Sequence, residues 1–190
     1  METRNAVSEH KTIRGREIAA LLNPRPVVLV TCCDAEGKPN VFSLAWHTPL
    51  SHDPALVGIS IGRSHYSHSL IQATGEFVIN IVGQGLLNAV VVCGNHSGAD
   101  GDKSTLADLK LERARWVQAP LIADALGYLE CRVAQEVSCG DHTLFVGHVI
   151  DAVARPDCFS DEWDLIRGDV LLCRQRDHFG HCVAAERAGE

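Results

Sequence analysis

Residues 62–68 contain groups that could bind a phosphate. They read Gly-Arg-Ser-His-Tyr-Ser-His and lie where an apolar strand is predicted to give way to a helix. A helix N-terminus presents unpaired backbone N–H groups, to which Arg63 adds a cation and Ser64 and Ser67 add hydroxyls. The alternative is that Ser64 only caps the helix while the neighbouring cation and histidines are solvated. The spacing alone is compatible with both interpretations.

A planar ring could bind to the preceding apolar segment, residues 40–48. A strand there would offer backbone donors and acceptors, with Ser43 as a further hydroxyl and Trp46 as an aromatic wall. Together with residues 62–68, this segment suggests a phosphorylated flavin as the ligand. The alternative is core packing, because Phe42, Leu44 and Trp46 alternate as the buried face of a strand does.

Gly140-Asp141-His142-Thr143 is a third candidate, at the tip of a predicted hairpin. Asp141 could orient the imidazole of His142 toward a ligand. The alternative is that these are ordinary turn residues, because glycine and aspartate are common in turns of every function.

Two clusters combine histidine and cysteine: Cys93-Gly94-Asn95-His96 and His178-Phe179-Gly180-His181-Cys182. Neither repeats the paired spacing of a structural zinc site, so no metal site is expected. The chain also lacks the GxxxxGK[ST] motif of nucleotide-binding loops and the GxSxG and HExxH motifs. Serine-hydrolase and zinc-protease chemistry therefore have no support in the sequence.

Length and charge narrow the class of protein. A chain of 190 residues is expected to fold as one domain, and a net charge of -7 argues against general binding to nucleic acid or anionic membranes. The N-terminal residues lack the apolar core of a secretion signal, and no apolar run has the length of a membrane span. The 8 cysteines form no CxxC pair, so we expect free thiols in a cytoplasmic protein.

The elements that must position these groups follow from hydrophobic periodicity and turn residues. Strands are predicted at 27–33, 41–46, 55–61, 76–82, 127–137 and 142–154. Helices are predicted at 18–22, 65–74, 83–92 and 106–110, the last capped by Ser104 or Thr105. A proline-bounded loop is predicted between the strands at 41–46 and 55–61, with a turn at Ser51-His52-Asp53-Pro54. Strands joined mainly by turns favour an antiparallel barrel or sandwich with inserted helices.

Many short motifs follow one another between about residues 25 and 153. They include Arg25-Pro26-Val27, Pro39-Asn40, Thr48-Pro49, Asp53-Pro54, Ser64-His65-Tyr66-Ser67, Gly75-Glu76-Phe77-Val78-Ile79-Asn80-Ile81, Cys93-Gly94, Asp102-Lys103, Pro120-Leu121-Ile122, Leu129-Glu130-Cys131 and Gly140-Asp141-His142-Thr143-Leu144-Phe145-Val146-Gly147. No one of them is specific, but in this order they resemble the flavin reductase-like, FMN-binding split-barrel family. The resemblance is closest to the flavoredoxin branch of that family.

The resemblance implies a mainly β fold with inserted helices, a six-stranded antiparallel Greek-key split barrel. The single domain would cover residues 1–190, with a core at about 23–154 and a C-terminal extension at 155–190. The family forms homodimers that hold FMN without a covalent bond near the dimer interface. By position, the isoalloxazine ring would contact Ser43, Leu44, Ala45, Trp46 and His47. The phosphate would contact Arg63, Ser64, Ser67 and Lys103, with further cofactor contacts from Asn80, Cys93 and Gly94.

These features predict an FMN-dependent oxidoreductase that takes electrons from NAD(P)H. His142 would lie on the nicotinamide side, and the electrons would pass to free flavin, a partner monooxygenase or another acceptor. The alternatives are an electron carrier of the flavoredoxin type reduced by a protein partner, and a non-catalytic barrel that binds flavin or haem. His47 departs from the aromatic or small residue frequent in the family. The extension with His178, His181 and Cys182 matches no family motif, and substrate specificity is expected to depend on it.

Overall fold

The computed structural model describes residues 10–175 and 178–181. The strands are β1 (Arg25–Pro26), β2 (Val28–Cys33), β3 (Pro39–Leu44), β4 (His47–Ser51), β5 (Leu56–Gly62), β6 (Glu76–Ile81), β7 (Leu111–Glu112), β8 (Leu121–Ile122), β9 (Gly127–Cys139), β10 (His142–Ala154), β11 (Leu171–Gln175) and β12 (His178–His181). The α-helices are α1 (Tyr66–Thr74), α2 (Leu87–Asn95) and α3 (Lys103–Leu106), and 3₁₀ helices cover Gly15–Leu22 and Gln84–Leu86. None of these helices has the length and apolar character needed to cross a membrane.

The main sheet contains 7 antiparallel strands in the order β3-β2-β6-β9-β10-β5-β4. Its two edge strands, β3 and β4, are consecutive in the chain and separated only by Ala45 and Trp46. The sheet must therefore curl until its edges meet at these two residues. The predicted mainly β, antiparallel fold is confirmed.

The seventh strand corrects the prediction of a loop at 47–54. The chain forms β4 there and pairs with β5, from His47 opposite Ile59 to Ser51 opposite Leu56. Pro49 is tolerated because β4 is an edge strand, where a missing N–H need not interrupt a ladder. The prediction gave the proline too much weight.

Strand β2 is buried on both faces, which explains its continuous apolar sequence. Val28, Val30 and Cys32 pack into one core cluster with Phe77 and Phe145. The alternate residue Leu29 packs into a second cluster with Val90 and Cys93 of α2. This second cluster fixes the end of α2 against β3.

The helices differ from the predictions mainly at their ends. Helix α1 ends as predicted at Gly75, which adopts the left-handed conformation with φ 69°. The helix predicted at 106–110 is wrong, because α3 begins at Lys103 and is capped by Asp102. The Asp102 carboxylate accepts hydrogen bonds from the backbone N–H groups of Ser104 at 2.9 Å and Thr105 at 3.4 Å.

The long hairpin of β9 and β10 is present as predicted and turns through Gly140, which has φ 61°. Because β10 also pairs with β5, His142 lies opposite Gly62. The hairpin therefore carries Asp141 and His142 to the start of α1.

The C-terminal extension folds back on the core. Its strands β11 and β12 form a three-stranded sheet with β1. We call the second core cluster, which contains Leu29, Val90 and Cys93, the α2 cluster. Leu171 is fully buried in it, and Phe179 packs against it. His178 and His181 lie on β12, whereas Cys182 lies outside the described residues.

Gly147 tests the packing between β10 and the core. A Cβ atom there would lie 2.5 Å from Cζ of Phe77, whose side chain is fully buried. We expect Gly147→Ala to lower the free energy of unfolding by about 1–3 kcal/mol in urea titrations. The control is Gly85→Ala, where nothing lies within 4 Å of the added atom. Equal stability of the two variants would contradict this packing.

Candidate functional site

A small cavity of about 310 Å³ lies where β3 and the start of α1 meet the end of α2 and α3. We call it the Lys103 cavity. Six predicted cofactor residues line it: Ser43, Ser64, Ser67, Cys93, Gly94 and Lys103. The remaining lining residues are Asn40, Phe42, His65, Tyr66, Asn95, His96, Ser97 and Gly98. The fold thus brings together residues that are 60 positions apart in the sequence, from Ser43 to Lys103.

Lys103 places a positive charge in this cavity. The residue is only 6% exposed, and its Nζ donates one long hydrogen bond, of 3.5 Å, to the carbonyl oxygen of Cys93. No carboxylate among the described residues forms an ion pair with it. Burial lowers the pKa of the Lys103 ammonium because it disfavours the charged form. An anion in the cavity would relieve this cost.

Asn40 adds an unsatisfied polar group to the same cavity. Its Nδ2 lies 3.5 Å from the sulfur of Cys32, and its buried Oδ1 has no hydrogen-bond partner among the described residues. Rotating the amide by 180° would let Oδ1 accept from the Cys32 thiol, since burial raises the pKa of that thiol to about 12. Asn40 can therefore offer a ligand either an acceptor or a donor.

The start of α1 faces the Lys103 cavity. Ser67 is buried in its first turn, and the side chain of His65, the N-cap residue, makes no capping hydrogen bond. The first N–H groups of a helix have no partners within the helix, and the helix dipole favours an anion beside them. The helix start, the hydroxyl and the ammonium thus surround one space that suits a phosphate.

A larger cleft of about 1200 Å³ adjoins the Lys103 cavity, and Ser64 and His65 line both. We call it the Trp46 cleft. The rings of Trp46 and His142 stack there, with centroids 4.8 Å apart and planes inclined by 29°. Its other lining residues are Gly15, Ile18, Ala19, Leu22, Arg25, His47, Thr48, Gly58, Ser60, Gly62, Asp141 and Leu144. The cleft has the aromatic and apolar walls that a planar ring requires.

His142 is held in one orientation. Its Nδ1 lies 2.7 Å from Oδ1 of Asp141, so in the neutral ring Nδ1 carries the proton. The other nitrogen, Nε2, is then a hydrogen-bond acceptor.

His47 also lines the cleft, but its ring is already bonded. Nε2 lies 3.1 Å from the carbonyl oxygen of Pro26 and must donate to it. Burial is the largest cause that lowers the pKa of His47, and the charge of Arg25 lowers it further. The hydrogen bond to Pro26 raises this pKa and so opposes both effects. His47 is therefore a neutral wall residue that ties β4 to β1.

Arg63 is not brought to the Lys103 cavity, although the sequence assigned it to the phosphate. Its guanidinium is exposed and donates a hydrogen bond to Oγ of Ser138, near the tip of the hairpin. Its backbone N–H donates to the carbonyl oxygen of Asp141 at 3.1 Å. Arg63 thus joins the turn before α1 to the hairpin.

Asn80 is also placed away from both cavities. It is completely buried, donates to the carbonyl oxygen of Leu29 at 3.2 Å and accepts from the N–H of Ile122 at 2.9 Å. Its amide therefore serves the core. Leu44 likewise packs against the core cluster, and Ala45 lines neither cavity.

Asn40, His65 and Arg25 also line these two spaces, although none of them was predicted as an individual cofactor contact. Asn40 is a polar residue within an apolar strand, a signal that could have identified it. His65 lay among the residues considered for the phosphate, and Arg25 appeared only within a family motif. Their shared position depends on how the strands and α1 pack together.

Known proteins that are similar to this chain are named for flavins. Residues 21–177 match the model of the family described as the flavin reductase like domain. A NADH:riboflavin 5'-phosphate oxidoreductase from Streptomyces pristinaespiralis is 31% identical over 128 residues, covering 66% of this chain and 69% of that protein. A NADH-dependent FAD reductase from Streptomyces globisporus is 32% identical over 134 residues, covering 70% and 71%. The crystal structure of flavoredoxin from Methanosarcina acetivorans is similar with a TM-score of 0.82 and 26% identity, covering 96% and 95%.

The buried charge of Lys103 gives a test by pH. Its pKa in the folded protein is lowered below the ordinary value of 10.5. Between those two values the unfolded chain keeps a proton that the folded chain has lost, so the contribution of Lys103 to stability rises with pH. In flavin-free protein we expect Lys103→Met to be more stable than the wild type at neutral pH.

The free energy of unfolding, measured in urea, should show that difference shrinking as the pH rises toward 10.5. Subtracting the variant from the wild type removes the titration of groups common to both. A difference that is independent of pH would contradict the burial of the Lys103 ammonium.

Proposed function

Since the chain belongs to the flavin reductase like family, as its motifs predicted, we propose that it is an FMN-binding oxidoreductase that takes electrons from NAD(P)H and passes them to an acceptor. The observation that carries the proposal is the Lys103 ammonium, which is buried in a small polar cavity and has no carboxylate partner among the described residues. An aromatic cleft adjoins this cavity at Ser64 and His65. A phosphorylated flavin has a dianionic end and a planar apolar end. These two ends match the two spaces.

The residues present fit FMN at the phosphate end. Lys103 and Ser67 would bind phosphate oxygens together with the N–H groups at the start of α1, and Ser64 lies at the junction with the cleft. The unsatisfied Oδ1 of Asn40 suits a ribityl hydroxyl, which can donate to it. Cys93 and Gly94 would contact the same end of the ligand, since both line the Lys103 cavity.

The ring would lie in the Trp46 cleft. Ser43 reaches the Lys103 cavity from β3, and Trp46 and His47 line the cleft beyond it, so this segment passes from the phosphate end to the ring end. We therefore assign Ser43, Trp46 and His47 to the flavin side of the site. Leu44 and Ala45 line neither space and would act by linking Ser43 to Trp46 in the same segment.

A bound flavin supplies a two-electron acceptor that takes a hydride from NAD(P)H and later returns both electrons. The protein's part is to orient the donor and exclude water. His142, fixed by Asp141 and stacked on Trp46, would form the wall against which the nicotinamide lies. No proton transfer from His142 is required, since hydride transfer depends chiefly on orientation.

The relatives support a nicotinamide donor but differ in flavin. One is named for riboflavin 5'-phosphate, which is FMN, and the other for FAD, while both are named for NADH. We propose FMN for this chain because the Lys103 cavity places one buried ammonium beside one helix start, an arrangement that suits a single terminal phosphate. NADH and NADPH both remain candidates as donors.

We also propose that two copies assemble around the cleft, as the family resemblance implies. Leu21 and Leu22 of the 3₁₀ helix and Leu50 of β4 are large apolar residues that are 67%, 70% and 43% exposed. Large apolar side chains with this exposure would lose contact with water on burial in an interface, which favours assembly. The reduced flavin could then serve a partner monooxygenase or another redox partner in the cytoplasm, where the free thiols described here would persist.

A second candidate is an electron carrier, favoured by the similarity to a flavoredoxin over 96% of this chain. Such a protein binds FMN but receives electrons from a protein partner. Anaerobic stopped-flow mixing distinguishes the two. Bleaching of the bound flavin by NADH or NADPH at a rate fast enough for turnover supports the reductase, and its absence supports the carrier.

Lys103→Met tests the phosphate assignment. Loss of one charge-assisted hydrogen bond costs about 1.5–3 kcal/mol, or roughly 10- to 150-fold in Kd for FMN. The affinity for riboflavin, which has no phosphate, should change by about twofold or less. Both constants can be measured by quenching of flavin fluorescence.

Arg63→Met is the matched control, because it removes a cation that lies outside the Lys103 cavity. Its affinity for FMN should stay close to that of the wild type. Equal losses for FMN and riboflavin in Lys103→Met, or a loss in the control as large as in Lys103→Met, would refute the assignment.

His142→Ala tests the donor side. Removing the ring that stacks on Trp46 should slow reduction of bound FMN by NADH about tenfold or more, because the nicotinamide loses its wall. The Kd for FMN should be nearly unchanged. His148→Ala is the control, an exposed histidine on the same strand. Unaltered reduction kinetics in His142→Ala would remove His142 from the site.

A further inference from the structure

We propose that Arg25 binds the diphosphate of the nicotinamide dinucleotide in the Trp46 cleft, and that the C-terminal extension positions Arg25 for this role. The proposal rests on the proposed NAD(P)H-dependent reaction. The diphosphate is the negatively charged part of the donor. Arg25 does not line the Lys103 cavity, so it is not used by the proposed flavin phosphate site.

Arg25 presents a positive charge to the cleft, and its side-chain partners among the described residues are neutral. Its side chain is half-buried and lines the cleft. Its Nε donates to Oδ1 of Asn23 at 3.1 Å, and one terminal nitrogen donates to the carbonyl oxygen of Ala19 at 3.3 Å. Both acceptors are neutral, and across residues 10–175 and 178–181 no carboxylate forms an ion pair with Arg25.

The chemistry of this arrangement selects a phosphate group. A guanidinium has five N–H donors in a planar fork, of which the two bonds above use only two. The neighbouring walls include the apolar Ile18 and Leu22, which supply no negative charge to compete with an anion for Arg25. The planar guanidinium can donate to two phosphate oxygens at once. Arginine therefore recognises the geometry of a phosphate as well as its charge.

The position within the cleft selects the donor rather than the flavin phosphate. The flavin phosphate is assigned to the Lys103 cavity, which Arg25 does not line. Arg25 shares the cleft with His142 and Trp46, where the nicotinamide is proposed to lie. At about 1200 Å³ the cleft exceeds the usual volume of a pocket for one drug-sized ligand, roughly 300–1000 Å³. The cleft is therefore larger than the flavin ring alone requires, and we place the dinucleotide in the remaining space, from His142 toward Arg25.

The C-terminal extension holds the backbone of Arg25 directly and the side chain of Arg25 through Asn23. Strand β11 pairs with β1 so that Cys173 lies opposite Arg25. Asn23 connects the two segments, because its Nδ2 donates to the carbonyl oxygen of Arg174 at 2.6 Å while its Oδ1 accepts from Arg25. If the Asn23 amide were reversed, its NH₂ group would face the N–H groups of Arg25. The bond from Nδ2 to Arg174 therefore keeps Oδ1 of Asn23 directed at Arg25 as an acceptor. Asn23 is thus a positioning residue.

Arg25→Gln tests the proposal by binding and by kinetics. We expect the Kd of NADH for flavin-free protein, measured by NADH fluorescence, to rise roughly 10- to 100-fold. In flavin-loaded protein, KM for NADH should rise similarly. KM for reduced nicotinamide riboside, which lacks the diphosphate, and the Kd for FMN should each change by about twofold or less.

Three further measurements complete the test. Arg167→Gln, which removes an exposed arginine of the extension outside the cleft, should behave as the wild type. Asn23→Ala should raise KM for NADH about three- to tenfold without changing kcat for reduced nicotinamide riboside. In the unaltered protein, inorganic pyrophosphate should displace NADH, a result that does not depend on how any variant folds.

Equal increases in KM for NADH and for the riboside would overturn the proposal, because Arg25 would then be structural. Unchanged NADH binding in Arg25→Gln, or failure of pyrophosphate to compete, would overturn it as well. Weaker binding of FAD with unchanged binding of NADH would assign Arg25 to a flavin instead. If the wild type binds no flavin, the proposed function fails, while NADH binding to flavin-free protein still decides the role of Arg25.

Discussion

The site depends on one unfavourable interaction, the burial of the Lys103 ammonium without a carboxylate among the described residues. Several local features maintain it. Asp102 starts α3 and so places Lys103 in its first turn, and the α2 cluster fixes the carbonyl of Cys93 beside Nζ. Burial deprives the ammonium of its solvation by water, and an anionic ligand compensates for this cost in free energy. The cavity therefore favours a phosphate over a neutral group.

The topology of the sheet joins this charge to the rest of the site. Because both edges of the sheet meet at Ala45 and Trp46, the strand that lines the Lys103 cavity continues directly into the Trp46 cleft. Pairing of β10 with β5 sets His142 against the same place from the other side. The two spaces therefore adjoin, and we propose that one ligand spans them, from the buried ammonium to the stacked rings of Trp46 and His142.

The sequence predicted elements with strong local signals and failed where the outcome depends on neighbours. Helix α1 and the β9–β10 hairpin were predicted because Gly75 and Gly140 mark their boundaries. Strand β4 was missed because the acceptability of Pro49 depends on its position at a sheet edge. Arg63 is adjacent to Ser64 in sequence, yet its side chain bonds to Ser138. Asn80 was assigned by family position, yet its side chain bonds within the core. Side-chain direction is a tertiary property, which sequence spacing does not specify.

The central claim is that Lys103 and the start of α1 hold the phosphate of FMN. Its most direct test is a crystal structure of the protein grown with FMN. The account predicts phosphate oxygens within hydrogen-bond distance of Lys103 Nζ and the Ser67 hydroxyl, with the ring beside Trp46. A phosphate bound at Arg63, or a flavin bound with the Lys103 cavity filled only by water, would contradict it.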